Sequence, residues 1–182
     1  MEFTLFYEGK LLKTTKARSE KKQSLRRHFH SQLKLLWQQP PLLINDVPLW
    51  EKEVKLIYEI GKFRFMPLVN RRIHMIAELD VTMLRPEAPG SIIKSGDIDN
   101  RLKTLIDALK MPSEPNALPP DDKPQDDEDP FFCLLEDDSL ITKVSVNTAQ
   151  LLQRHANSSE VILFIHVKTK LTEVTWENIG LG

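Results

Sequence analysis

The sequence predicts a single α/β domain of the α+β kind, a mixed β-sheet of about five strands with helices packed on it. Three observations carry that reading. Several segments alternate apolar and polar residues with period two, two segments repeat apolar residues at helical steps, and the 182 residues are 41% hydrophobic, enough for one self-sufficient core. The single cysteine, Cys133, cannot form an internal bridge and offers no thiolate metal cluster. The domain spans residues 1–182 and carries an acidic, proline-rich loop at 111–130.

Residues 3–7, FTLFY, read as a strand ended by Glu8-Gly9. From Ser19 to Gln38, Leu25, Phe29, Leu33, Leu36 and Trp37 form a helical stripe that Pro40-Pro41 stops. The opposite face holds Lys21, Lys22, Arg26, Arg27 and Lys34. VKLIYEIGKFRFMPLV reads as a hairpin with Gly61-Lys62 at its tip, and RRIHMIAELDVTMLRP as a half-buried strand with Ala77, Leu79, Val81 and Met83 on one face. After a connection from Pro86 to Gly96, DIDNRLKTLIDALK sets Ile98, Leu102, Leu105, Ile106 and Leu109 at helical steps. Residues 111–130 hold 6 prolines and 7 acids against one lysine, so little is available to bury and a mobile loop is expected. SLITKVSVN alternates as a strand, EVILFIHVK reads as a central strand, and the last dozen residues read as a tail.

The formal charge of -1 hides an asymmetry: residues 1–75 hold 15 basic residues against 7 acidic, and residues 76–182 hold 10 against 19. A basic half suggests a polyanionic partner. The N-terminus lacks the basic patch and apolar run of a secretory signal, and no apolar stretch approaches the ~18 residues of a membrane span, so a soluble, cytoplasmic protein with no membrane partner is expected.

Chemistry concentrates at the start of the second helix. Asp97 and Asp99 precede Lys103, and positions 99, 103 and 107 are four apart and share a face opposite the leucine stripe. A hard cation such as Mg²⁺ takes oxygens from one or two carboxylates and keeps water and substrate phosphate in its other positions. Glu136-Asp137-Asp138 precede a strand and supply a second acidic cluster that can complete such a shell. Each cluster alone has a plainer reading, as helix cap and dipole partner or as solvated turn. Glu78 and Asp80 read as a solvated sheet face, His28 and His30 point to different sides of their helix, and His74 and His166 lie in strands, so no histidine base is expected. Trp37, Trp50 and Phe29 read as core.

The combination DIDNRLKTLIDAL followed by EDDSLITKVSV resembles the RusA-like family of Holliday junction resolvases, which has D-x-D-N-x-x-K at a helix start, a downstream D-A-L, and a D-D pair leading into a strand. The matching positions are Asp97, Asp99, Asn100 and Lys103, then Asp107-Ala108-Leu109, then Asp137-Asp138; 27 residues, Lys110 to Glu136, separate the halves. The resemblance implies a homodimeric, Mg²⁺-dependent endodeoxyribonuclease, with Mn²⁺ as substitute, that resolves four-way DNA junctions in recombination and repair. It implies Asp97, Asp99 and Asp138 as catalytic metal-binding acids with Asp137 beside them, and Lys103 as the cation near the scissile phosphate. Lys21, Lys22, Arg26, Arg27, Arg71 and Arg72 are the expected DNA-backbone surface. The alternative is a non-catalytic or loop-gated DNA-binding protein of the same fold.

Overall fold

The computed structural model describes residues 1–11, 19–44, 47–48, 56–86, 97–152, 160–176, 178–179 and 181. Trp50, most of the connection after Pro86 and the start of the expected hairpin segment lie outside these residues. In chain order the elements are β1 (Glu2–Lys10), α1 (Ser19–Trp37), β2 (Leu43–Ile44), β3 (Val47–Pro48), β4 (Tyr58–Ile60), β5 (Phe63–Val69), β6 (Met75–Arg85), α2 (Asp97–Leu109), β7 (Phe131–Leu135), β8 (Ile141–Gln150) and β9 (Glu160–Leu171). Where one sheet of about five strands was expected, seven strands form two mixed sheets, and β2 and β3 make a separate two-residue ladder. The fold class holds: this is a single α+β domain.

The larger sheet has the order β1-β9-β6-β8, antiparallel except for the parallel β6/β8 pair, and the smaller has the order β4-β5-β7 with β5/β7 parallel. The split arises because β7, FFCLL, is buried at every position and pairs with β5, not with the long strands. β6 alternates as expected: Met75, Ala77, Leu79, Val81 and Met83 are buried, and the residues between them are half-buried on the other face. Gly61 closes the two-residue β4-β5 turn at φ 62°, a backbone region that favours glycine.

The helical stripe of α1 is confirmed in Leu25, Phe29, Leu33 and Trp37, all at most 5% exposed. Each such side chain contributes about 1.5–3 kcal/mol on burial. Tertiary packing turns α2 slightly from its expected face: Leu105, Ala108 and Leu109 are buried with Arg101 and Thr104, whereas Ile98, Leu102 and Ile106 are only half-buried.

Two segments expected to be loose are docked. Residues 111–130 pack Leu118 into a small second core with Phe63, Phe65, Phe131 and Cys133, and bury the Glu128 carboxylate against α1. Beyond β9, Asn178 is fully buried and donates to the Ile73 and Glu173 carbonyls, while the Thr172 N–H donates to the His74 carbonyl, so the supposed tail folds back onto the turn before β6. Among the described residues no helix is long and apolar enough to cross a membrane.

Candidate nucleic-acid and metal site

Of the face of α2 expected to look outward, Asp99 and Lys103 do so, whereas Asp107 is half-buried against α1. Asp97 is the first residue of α2, with its side chain outside the described set. The helix rises about 1.5 Å per residue, so Asp99 and Asp107 stand roughly 12 Å apart along its axis.

The Glu136-Asp137-Asp138 cluster lies at the other end of that helix. The Met111 N–H donates to the Leu135 carbonyl at 2.9 Å, and the Glu136 N–H donates to the Val69 carbonyl at 2.9 Å. The first bond fixes the end of β7 against the C-terminus of α2, and the second ties it to the end of β5. Asp138 Oδ2 consequently sits 3.0 Å from Lys110 Nζ, which is also 4.0 Å from Asp107 Oδ1; Lys22 Nζ is 2.8 Å from Asp107 Oδ2. The structure therefore joins Asp107 and Asp138 through one ammonium and leaves Lys103 about one helical turn and Asp99 about two turns from Asp107. Among the described residues no group of three His, Cys, Asp or Glu is placed to hold a metal ion. The carboxylates of Asp107 and Asp138 are suitable hard donors, but Lys110 occupies the space between them, and a divalent cation there would have to displace it.

Asp137 is engaged as a cap. Its Oδ1 accepts from the Ser139 N–H at 3.1 Å and from the Ser139 hydroxyl, and it stands 3.3 Å from an Arg71 Nη. Those Ser139 hydrogen bonds, with the Arg71 and Lys110 charges, hold its carboxyl below the usual range. Arg71 also binds Glu136 at 3.0 Å, and its N–H donates to the same carboxylate at 2.8 Å.

The basic residues part company. Lys21 and Arg72 are exposed, and Arg72 lies over the Tyr58 ring, 4.5 Å from its centroid. Arg26, expected on the DNA-facing surface, is 4% exposed. It donates to the Asp107 carbonyl at 2.9 Å, the Lys110 carbonyl at 3.2 Å and Gln23 at 3.3 Å, satisfying backbone oxygens that the end of α2 leaves open. It is a buried cap and not a phosphate contact. Arg27 is gripped by the acidic loop, at 2.7 Å from Glu128 and 2.8 Å from Asp122, and the same loop pairs Asp127 with Lys34 at 3.8 Å and Asp129 with Arg64 at 3.1 Å.

His30 joins the loop to the core. Its Nδ1 accepts from the Phe132 N–H at 2.8 Å, so the proton is on Nε2, which faces the Asp127 carbonyl at 3.3 Å. Burial is the main influence that pulls its pKa down. Glu78 pairs with Lys170, and Asp80 with Lys143 at 3.3 Å, which agrees with a solvated sheet face. Cys133 is buried, and burial pushes its thiol far up, so it is chemically quiet.

Sequence reasoning missed Lys110, Glu128 and the loop's grip on α1. The i,i+3 spacing of Asp107 and Lys110 was a visible signal, whereas the loop's pairs to α1, 93 to 101 positions apart, had none. Comparisons with known proteins found no matching family model, no matching curated protein and no matching solved structure.

Proposed function

We propose that this chain is a Mg²⁺-dependent endodeoxyribonuclease that hydrolyses phosphodiesters at four-way DNA junctions. The motif order D-x-D-N-x-x-K, D-A-L, D-D supports the reading. The observation that carries it is that Asp107 and Asp138, from motif halves 27 residues apart, meet through Lys110 beside Lys22. Asp97 and Asp99 at the start of α2 are one proposed pair of metal-binding acids and Asp138 with Asp107 at its C-terminal end is another, since the roughly 12 Å along the axis between Asp99 and Asp107 is too long for one ion's shell; Mg²⁺ when bound would supply charge stabilisation and an activated water. Lys103, exposed on the same helix face as Asp99, is the proposed cation for the scissile phosphate, with Lys21 and Arg72 on the backbone surface.

The test is cleavage of a labelled four-way junction beside linear duplex and a flap, in Mg²⁺ or EDTA, with Asp99→Asn as control. Paired nicks on the junction alone, lost in EDTA and in the variant, support the proposal; equal loss of binding and cleavage in Asp99→Asn counts against it.

A second reading is favoured by the acidic loop. Its carboxylates occupy Arg27, Lys34 and Arg64, cations of the half expected to meet DNA, so the loop supports a gated protein whose basic surface is covered at rest. Binding without cleavage in every metal, with cleavage gained when residues 112–130 are removed, would favour that reading.

A further inference from the structure

Away from the acidic end of α2, the chain builds a cavity of about 270 Å³ where the end of β1 and the start of α1 meet α2. Lys21, Ser24 and Leu25 stand three and one positions apart on one face of α1 and line it together. β1 supplies Tyr7 and Lys10, Leu11 follows that strand, and Thr104 comes from α2.

The walls are fixed by the protein's own bonds. Leu11 is 1% exposed, and its carbonyl accepts from an Arg101 Nη at 2.6 Å, which ties it to α2. The Tyr7 hydroxyl donates to the Lys10 carbonyl at 3.1 Å, and the Tyr7 ring meets His28 edge to face with centroids 5.0 Å apart. Gly9 lies between Tyr7 and Lys10 at φ 155°, and a β-carbon there would stand 2.7 Å from the Tyr7 hydroxyl, so glycine keeps the ring in place. Interiors close-pack with few gaps larger than a water molecule, so a preformed space of this size marks a place for a ligand.

The lining combines two chemistries. Tyr7, Leu11 and Leu25 are the apolar part, and Lys10, Lys21 and Ser24 are exposed. Among the described residues neither lysine has an ion-pair partner, and no carboxylate lines the cavity. Burial raises the pKa of the Tyr7 hydroxyl, which therefore stays neutral beside an anion.

We infer that this cavity binds a small organic anion: an apolar body of one ring or a short chain lies on Tyr7, Leu11 and Leu25, and a carboxylate or phosphate-ester head meets Lys10 and Lys21. Size sets the body. A cavity of about 150 Å³ holds benzene, so 270 Å³ takes one ring with a charged substituent and is too small for a folded partner. Charge sets the head, because two unpaired ammonium groups with no facing acid favour an anion over a neutral or cationic ligand. The inference does not rest on the nuclease reading.

Saturation-transfer NMR on the full chain, with calorimetry for affinity, tests it. The probes are 4-phenylbutyrate and phenyl phosphate, each a ring joined to an anion. Benzyl alcohol carries the ring alone, and acetate and inorganic phosphate carry the charge alone. At least one probe should bind with a submillimolar dissociation constant, within reach of about a dozen heavy atoms, and about tenfold or more tighter than every control. The tighter probe tells carboxylate from phosphate ester. Lys21→Glu should weaken it by about tenfold or more, and Ser24→Phe, which places a ring at the cavity, should abolish binding. Lys62→Glu, the same charge change outside the cavity, should leave it unaltered. All three residues are exposed, so the variants stay folded, which circular dichroism verifies. No binding of either probe up to about 10 mM, controls as tight as the probes, or an affinity unchanged in Lys21→Glu or Ser24→Phe overturns the inference.

Discussion

The Arg26 guanidinium donates to the carbonyl oxygen of Asp107 at 2.9 Å, while the carboxylate of the same aspartate is held by Lys22 at 2.8 Å. One residue of α2 is thus bound twice by α1, once through its backbone and once through its side chain. The N-terminal basic helix and the helix of the acidic motif are locked together at the end where Asp138 arrives.

Arg26→Ala should destabilise the fold by about 2–4 kcal/mol, because buried carbonyls lose their donors and a cavity remains. Arg26→Lys should recover little, since an ammonium cannot reproduce the planar fork that reaches three acceptors. Urea unfolding of both variants checks this. A loss below about 0.5 kcal/mol in Arg26→Ala would contradict the capping role.

Asp138→Asn should change stability by no more than about 1 kcal/mol, because its pair with Lys110 is partly solvated. The same variant should lower Mg²⁺-dependent junction cleavage by roughly 100-fold or more if Asp138 touches the metal. Measuring both on one preparation separates a catalytic acid from a surface ion pair; full activity would remove Asp138 from the proposed site.

Acidification should weaken the fold through His30. Its folded pKa is depressed, so the neutral ring is favoured in the native state, and the stability it lends is complete above the unfolded value of about 6.5. That contribution is lost as the pH falls below about 6.5 towards the lower folded value. The urea midpoint between pH 8 and 5 should therefore decline more steeply in the parent than in His30→Gln. Parallel curves would show that the ring is not forced to stay neutral by the Phe132 N–H.

Neutralising the loop should strengthen binding to DNA. Asp122→Asn, Asp127→Asn and Asp129→Asn together release Arg27, Lys34 and Arg64 from three of their partners while leaving the buried Glu128 in place. Each cation that then reaches a phosphate should steepen the plot of log affinity against log salt by about 0.9. Fluorescence anisotropy with a junction across a salt series measures the slope, and an unchanged slope would show that the loop does not compete for those cations.

The alternation of β6, the Gly61 turn and the apolar stripe of α1 were legible because each is a local periodic signal: side chains facing one core repeat every two or about 3.6 residues whatever lies opposite. The acidic start of α2 was legible as a candidate for the same reason. Arg26 was not, because a basic residue reads as surface until a second helix ends against it. Nor was the docking of 111–130, whose composition promises solvent but whose Leu118 and Glu128 find a small aromatic core and an arginine far away in sequence. The sequence by itself determined the α+β class, most strands and which residues can carry charge chemistry. Only the tertiary structure decided that strand β7 joins a second sheet, that this brings Asp138 to the C-terminal end of α2 beside Lys110, and that much of the basic surface is already paired, because long-range pairing depends on chain closure that no local pattern encodes.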